Sequence, residues 1–137
     1  MTIMRQVLVF DAADIHAESA FWAGMFDGRV LADGDWHNVI DGDDRWVAGV
    51  QLAPGHVPPE WPAGVAQQVH LDLHVDDFAA MHQRAVALGA RVLQAAAEPG
   101  VGEGFQVYAD PAGHPFCLCW GQPDDDAIRR FVRRTEG

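Results

Sequence analysis

Two hexapeptides 62 residues apart, Phe26-Asp27-Gly28-Arg29-Val30-Leu31 and Leu88-Gly89-Ala90-Arg91-Val92-Leu93, follow one plan: an apolar helix end, a turn, then the start of a strand. The same offset lays Asp14 on Asp76. Asp14, and Asp76 or Asp77, stand where a helix N-cap is needed, just before apolar residues at helical spacing. Ile15, Phe21, Trp22, Met25 and Phe26 form the first such set, Phe78, Met81, Ala85 and Leu88 the second. A strand precedes each helix (5–12, then 67–75), and three β segments follow it (from 29, 35–40 and 45–52; from 91, 105–109 and 115–120). Each half therefore reads βαβββ. Such a unit exposes one apolar face that it cannot bury alone, so two halves must share a core.

The boundaries follow. Residues 1–52 form the first unit and 67–122 the second. Between them, 53–66 contain Pro54, Pro58, Pro59, Pro62, Gly55 and Gly64, which exclude a helix or a central strand. Residues 123–137 open on Pro123 and three aspartates and close on Arg129, Arg130, Arg133 and Arg134, a charge order that suits a C-terminal helix. Ile128, Phe131 and Val132 form its apolar stripe. The expected fold is α+β: a curved eight-stranded mixed sheet, helices on its convex side and a C-terminal helix.

Charge removes several functions. The formal net charge is −11, and all nine basic residues are arginines. Nucleic acid and anionic membranes repel such a chain, and without lysine there is no Schiff base or phosphate-loop lysine. No apolar run reaches the length of a membrane span and no signal sequence opens the chain, so a cytoplasmic protein is expected. Cys117 and Cys119 read as small buried hydrophobes of a reducing compartment.

Val69 to Val75 alternates with period two. Leu71, Leu73 and Val75 turn to the core, while His70, Asp72 and His74 share the opposite face. A histidine beside a carboxylate is a competent general base, because the carboxylate holds the protonated ring. Pro115 to Trp120 alternates likewise, sending Phe116, Leu118 and Trp120 to the helices and Cys117 and Cys119 to the polar face. His70, Asp72 and His74 are the candidate catalytic residues. Asp11, in the place of His74 in the first unit, with Gln51, His37 and Cys117, are candidate ligand-binding residues; Trp36 joins His37 on the other wall. His16, His56, His82 and His114 fall on a helix surface, in the linker or beside a turn and are expected to be structural. Ser19 lacks a histidine–carboxylate pattern, so a serine nucleophile is not expected.

The chain resembles the vicinal oxygen chelate superfamily, in its glyoxalase, bleomycin-resistance and dioxygenase group, and more closely bacterial glyoxalase-like domains. Val9-Phe10-Asp11-Ala12-Ala13-Asp14, Phe21-Trp22, Val69 to Asp77, Ala87-Leu88-Gly89-Ala90 and Asp110-Pro111-Ala112-Gly113-His114-Pro115-Phe116-Cys117 carry the resemblance. It implies a homodimer, with Val57 and Trp61 near the linker as candidate contacts. It also implies a metal on the concave face, with one ligand on the first and one on the last strand of each unit. Those positions are Val7 or Leu8, Gly49, His70 and Cys117. Only His70 and Cys117 are metal candidates, and zinc or iron sites normally need three protein ligands. No cofactor is therefore expected. A divalent metal would require Cys117 as thiolate, or His74 or Asp72 in place of a missing ligand.

Two functions stay open. One is a glyoxalase-like lyase or isomerase acting on a small organic metabolite through His70, Asp72 and His74; a metal-dependent dioxygenase is disfavoured. The other is a drug-sequestering protein of the bleomycin-resistance kind, whose cleft holds a compound and changes nothing. A scaffold with no ligand is the least favoured, because a His-Asp-His face is costly to bury without purpose.

Overall fold

The computed structural model describes all 137 residues. In chain order the elements are β1 (Leu8–Ala12), α1 (Ile15–Met25), β2 (Arg29–Asp33), β3 (Trp36–Ile40), β4 (Trp46–Leu52), β5 (Leu71–His74), α2 (Phe78–Ala87), β6 (Arg91–Gln94), β7 (Gly104–Ala109), β8 (Pro115–Trp120) and α3 (Asp125–Glu136). The two βαβββ repeats and the C-terminal helix are present, and the fold is α+β. The backbone ladders join strands within each half, in the orders β1-β4-β3-β2 and β5-β8-β7-β6. Each sheet is mixed, its first strand parallel to its last. The expected eight-stranded sheet is thus two four-stranded sheets with no hydrogen-bonded seam between them. β1 and β5 instead flank an open cavity, and the Asp11 carbonyl beside it accepts a hydrogen bond from a side chain, His114 Nε2, at 2.7 Å.

The halves share one core. Phe10, Phe21, Trp22, Met25, Val39 and Ala48 of the first pack with Phe78, Ala85, Tyr108, Phe116, Leu118 and Trp120 of the second. Trp22 is its centre: fully buried, it stacks on Phe10 at 4.7 Å and meets Phe116 edge-on at 5.2 Å. Leu71, Leu73 and Val75 pack against this core, as their alternation requires.

The repeat is visible in the helix ends. Asp14 and Asp77 cap α1 and α2 by accepting from the N–H groups of Ala17 and Ala80. The second cap is therefore Asp77, not Asp76, because α2 is one residue shorter than α1. At the C-termini, Gly28 N–H donates to the Ala23 carbonyl and Ala90 N–H to that of Ala85, the six-to-one bond of a Schellman close. Its left-handed residue is Gly89 in one half and Asp27 in the other. Gly28 is needed for a further reason: a Cβ there would sit 1.8 Å from the Ile40 carbonyl oxygen. Gly28→Ala must move backbone, so a loss of about 2–3 kcal/mol is expected in urea unfolding. A midpoint equal to wild type would show that β2 and β3 can part freely.

Two strands are shorter than expected. β1 starts at Leu8 rather than Arg5, and β5 at Leu71 rather than Gln67. In register, His70 would pair with Pro115, which has no N–H to contribute. α3 buries none of its residues: Ile128, Phe131 and Val132 stay exposed.

Candidate functional site

β5 and β8 run parallel in the register Asp72↔Cys117 and His74↔Cys119. Both strands alternate, so His70, Asp72, His74, Cys117 and Cys119 all face away from the helices. His70 Nε2 lies 3.3 Å from Asp72 Oδ1, each side chain about half exposed. The donor atoms of His70, Asp72 and Cys117 lie within 4.8 Å of one another, as do those of Asp72, His74 and Cys119. Burial, then the nearby Asp72 charge, push the Cys117 thiol up to about 12 and the Cys119 thiol to about 11. Both are protonated at neutral pH, so neither is a ready nucleophile.

A cavity of about 440 Å³ lies between the β1 and β5 edges. Leu8, Val9, Phe10, Val57, Val65, Val69 and Leu71 supply apolar wall, and Asp11, Gln51, His56, His70 and His114 polar groups. Asp11 and Gln51 are ladder partners, which sets their side chains together. His74 and Cys117 lie outside this cavity. His74 borders a separate cleft at the start of α3, and Cys117 a smaller one shared with His70.

His56 and His114, read as structural from the sequence, both line the cavity. His56 Nε2 donates to the Ala112 carbonyl at 3.0 Å and His114 Nε2 to that of Asp11 at 2.7 Å. A carbonyl can only accept, so each neutral ring keeps Nδ1 as a free acceptor. The two rings stand 4.8 Å apart. Linker and turn carry no period that could announce them; long-range bonds place them.

His37 is a correction. It is buried on the helix side, with Nδ1 2.8 Å from the Ser19 hydroxyl, and burial, then the neighbouring His16, push its pKa down. It shares its strand face with Val39, which lies in the core, so it cannot line the concave face. Ser19 does meet a histidine, but the pair is buried and no carboxylate holds the ring. Trp36 stays on the concave side, its N–H on Asn38 Oδ1 at 2.6 Å. Trp61, expected at a dimer contact, packs in its own chain against Val107, Cys117 and Cys119. Val57 is exposed at the cavity rim.

The four metal positions implied by the resemblance do not fit a metal. The register puts Val7 opposite His70 in the repeat, and Val7 has no donor. A Cβ at Gly49 would meet Trp36 Cζ2 at 3.1 Å and Val9 Cγ2 at 3.4 Å, so Trp36 fills the space of a ligand carboxylate. The first half contributes no ligand.

A second polar cluster joins the halves on the buried side. Trp22 Nε1 donates to Glu18 Oε1 at 2.8 Å and to Asp110 Oδ2 at 3.1 Å. Ala112 N–H donates to Glu18 Oε2 and His114 N–H to Asp110 Oδ1, both at 2.8 Å. Burial, and then the Asp110 carboxylate beside it, push the Glu18 pKa up to about 10, so Glu18 is a neutral acid sharing its proton with Asp110. The loop that carries His114 and receives His56 is thus anchored on α1.

A family described as a glyoxalase-like domain matches residues 7–119. No curated protein matches the sequence. Among solved structures, the fosfomycin resistance protein FosX from Mesorhizobium loti superposes with a TM-score of 0.65 at 17% identity, covering 96% of this chain and 99% of that one. The bleomycin resistance determinant encoded on transposon Tn5 gives 0.58 at 17% identity, over 88% and 100%. A glyoxalase/bleomycin resistance protein/dioxygenase family enzyme from Burkholderia phytofirmans PsJN gives 0.63 at 17%, over 85% and 97%.

Proposed function

The chain belongs to the glyoxalase-like domain family of the vicinal oxygen chelate superfamily, and from that premise we propose that it binds a small organic molecule between β1 and β5 and moves a proton on it. The observation that carries this reading is the cavity wall: an apolar lining interrupted by His70, Asp11, Gln51 and the two tethered imidazoles. The apolar part takes the body of the ligand, and the fixed acceptors take a hydroxyl, an amine or an acidic C–H flanked by a carbonyl. His70 is the base: Asp72 lies against its Nε2, which leaves Nδ1 to accept the proton, and the carboxylate stabilises the imidazolium that results. Asp72 positions and does not itself border the cavity. The chemistry that follows is that of a lyase or isomerase. His74 belongs to the same strand face but not to this cavity, so it takes no part in the step.

The largely apolar wall favours a second reading, in which the protein sequesters its ligand unchanged. A thermal-shift panel of small aromatic and aliphatic carbonyls, alcohols and amines separates them. Val9→Trp should abolish ligand-induced stabilisation by filling the cavity, while the free protein stays within about 0.5 kcal/mol of wild type. His70→Gln should keep binding and lower turnover about 10²–10⁴-fold. A ligand recovered unchanged, with His70→Gln binding like wild type, identifies a sequestering protein. Stabilisation that survives in Val9→Trp would place the ligand elsewhere and sink both readings.

A further inference from the structure

The polar face of the second half continues past the cavity. At its far end His74 and Cys119 are ladder partners, and Asp72 is the next residue on the same face. One nitrogen, one oxygen and one sulfur donor lie within 4.8 Å of one another there. Of the three, His74 borders a cleft of about 570 Å³, whose other wall carries Asp124, Asp125 and Asp126 at the start of α3. The triad and the acidic cleft wall are separate observations, and both favour a cation. Arg129 is the opposing charge in the cleft, and it is held 2.8 Å from Asp126.

We propose that Asp72, His74 and Cys119 form a zinc site belonging to the second half alone. It is not the arrangement implied by the resemblance, which draws on both halves and uses neither His74 nor Cys119. An imidazole, a carboxylate and a thiolate match the donor preference of zinc over magnesium or calcium. Three protein ligands leave one position for water or an α3 carboxylate. Coordination forms the zinc–sulfur bond as the Cys119 S–H proton leaves to solvent, so affinity rises with pH. His70 and Cys117 serve the other end of the face: His70 borders the organic cavity, and Cys117 lies under Trp61.

The test uses the full chain, reduced, stripped with chelator and titrated with Co²⁺ and then Zn²⁺. One Co²⁺ per chain is expected, with a sulfur-to-cobalt charge-transfer band in the near ultraviolet that Zn²⁺ abolishes. Cys119→Ser should remove the band. His74→Ala, at an exposed position, should weaken binding about a hundredfold without unfolding the chain, and decides the matter if Cys119→Ser does not fold. Cys117→Ser and Val9→Trp should bind Co²⁺ as wild type does, so loss of the organic ligand in Val9→Trp is read independently. Absence of the band, its persistence in His74→Ala at wild-type affinity, or its loss in Cys117→Ser overturns the proposal.

Discussion

Trp22→Ala is expected to destabilise the protein by about 4–5 kcal/mol, about a third or more of the roughly 5–15 kcal/mol that holds an ordinary domain together. The indole is fully buried and touches both halves: Phe10 stacks on it, and Phe21 and Phe116 meet it edge-on. Its loss opens a cavity where the two βαβββ units join, and packing around it from two sheets and a helix can only partly collapse. The same residue is the shared donor to Glu18 and Asp110. Trp22→Phe isolates that role. It keeps most of the aromatic contact and removes the N–H, leaving two buried carboxyl groups short of a donor. A smaller loss of about 2 kcal/mol is expected. Urea unfolding followed by circular dichroism measures both. If Trp22→Phe equals wild type, the indole N–H contributes nothing and the cluster is held by its backbone donors alone.

Much of this arrangement is legible in the sequence, and what is not has physical causes. The repeat announces itself because both halves solve the same helix-end problem: residues 26–31 and 88–93 carry the Schellman close and the strand that follows it. The slip of one residue between Asp76 and Asp77 arises because helix length can vary by one while the close is preserved. The His-Asp-His face is legible because a strand has a period of two, and His37 could have been placed by the same rule. It stands two residues before Val39, so it had to share the buried face. Glu18 was also open to reading: with Ile15, Ser19, Trp22 and Met25 it falls on the apolar stripe of α1, where a carboxyl group demands a partner. That the partner is Asp110, far along the chain, needed the structure. His56 and His114 sit on loops, where no period operates and only the Ala112 and Asp11 carbonyls decide where the rings point.

Stability should fall as the pH is raised from neutral toward 9, and Glu18→Gln should abolish most of that fall. In the unfolded chain Glu18 titrates near 4.5; in the folded protein burial and Asp110 hold its proton up to about 10. Between those values the native state keeps a proton that the unfolded state has lost, so the free energy of unfolding declines with rising pH. Below about 4.5 both states hold the proton and this contribution is flat. Other groups leave the slightly alkaline range clear. His37, with its pKa pushed down, adds stability only as the pH climbs toward its ordinary value of 6.5, and the cysteines begin to matter near 9. Between pH 7 and 8.5 the effect amounts to about 2 kcal/mol, since a one-proton difference between the two states is worth about 1.4 kcal/mol per pH unit. Glutamine carries no proton to lose; with its oxygen accepting from Ala112 its amide can donate to Asp110, and Trp22 Nε1–H, which an NH₂ group cannot accept, keeps Asp110 as its acceptor. Melting temperatures of wild type and Glu18→Gln at pH 7 and pH 8.5 test this directly: the wild-type value should drop and the variant's should not. Equal slopes would mean that Glu18 ionises freely in the folded protein. The same experiment reaches the cavity, because the 110–114 loop is tied to Glu18 through Ala112 N–H while its carbonyl holds His56. An alkaline loss of ligand binding that Glu18→Gln prevents would show that this buried acid keeps the cavity wall in place.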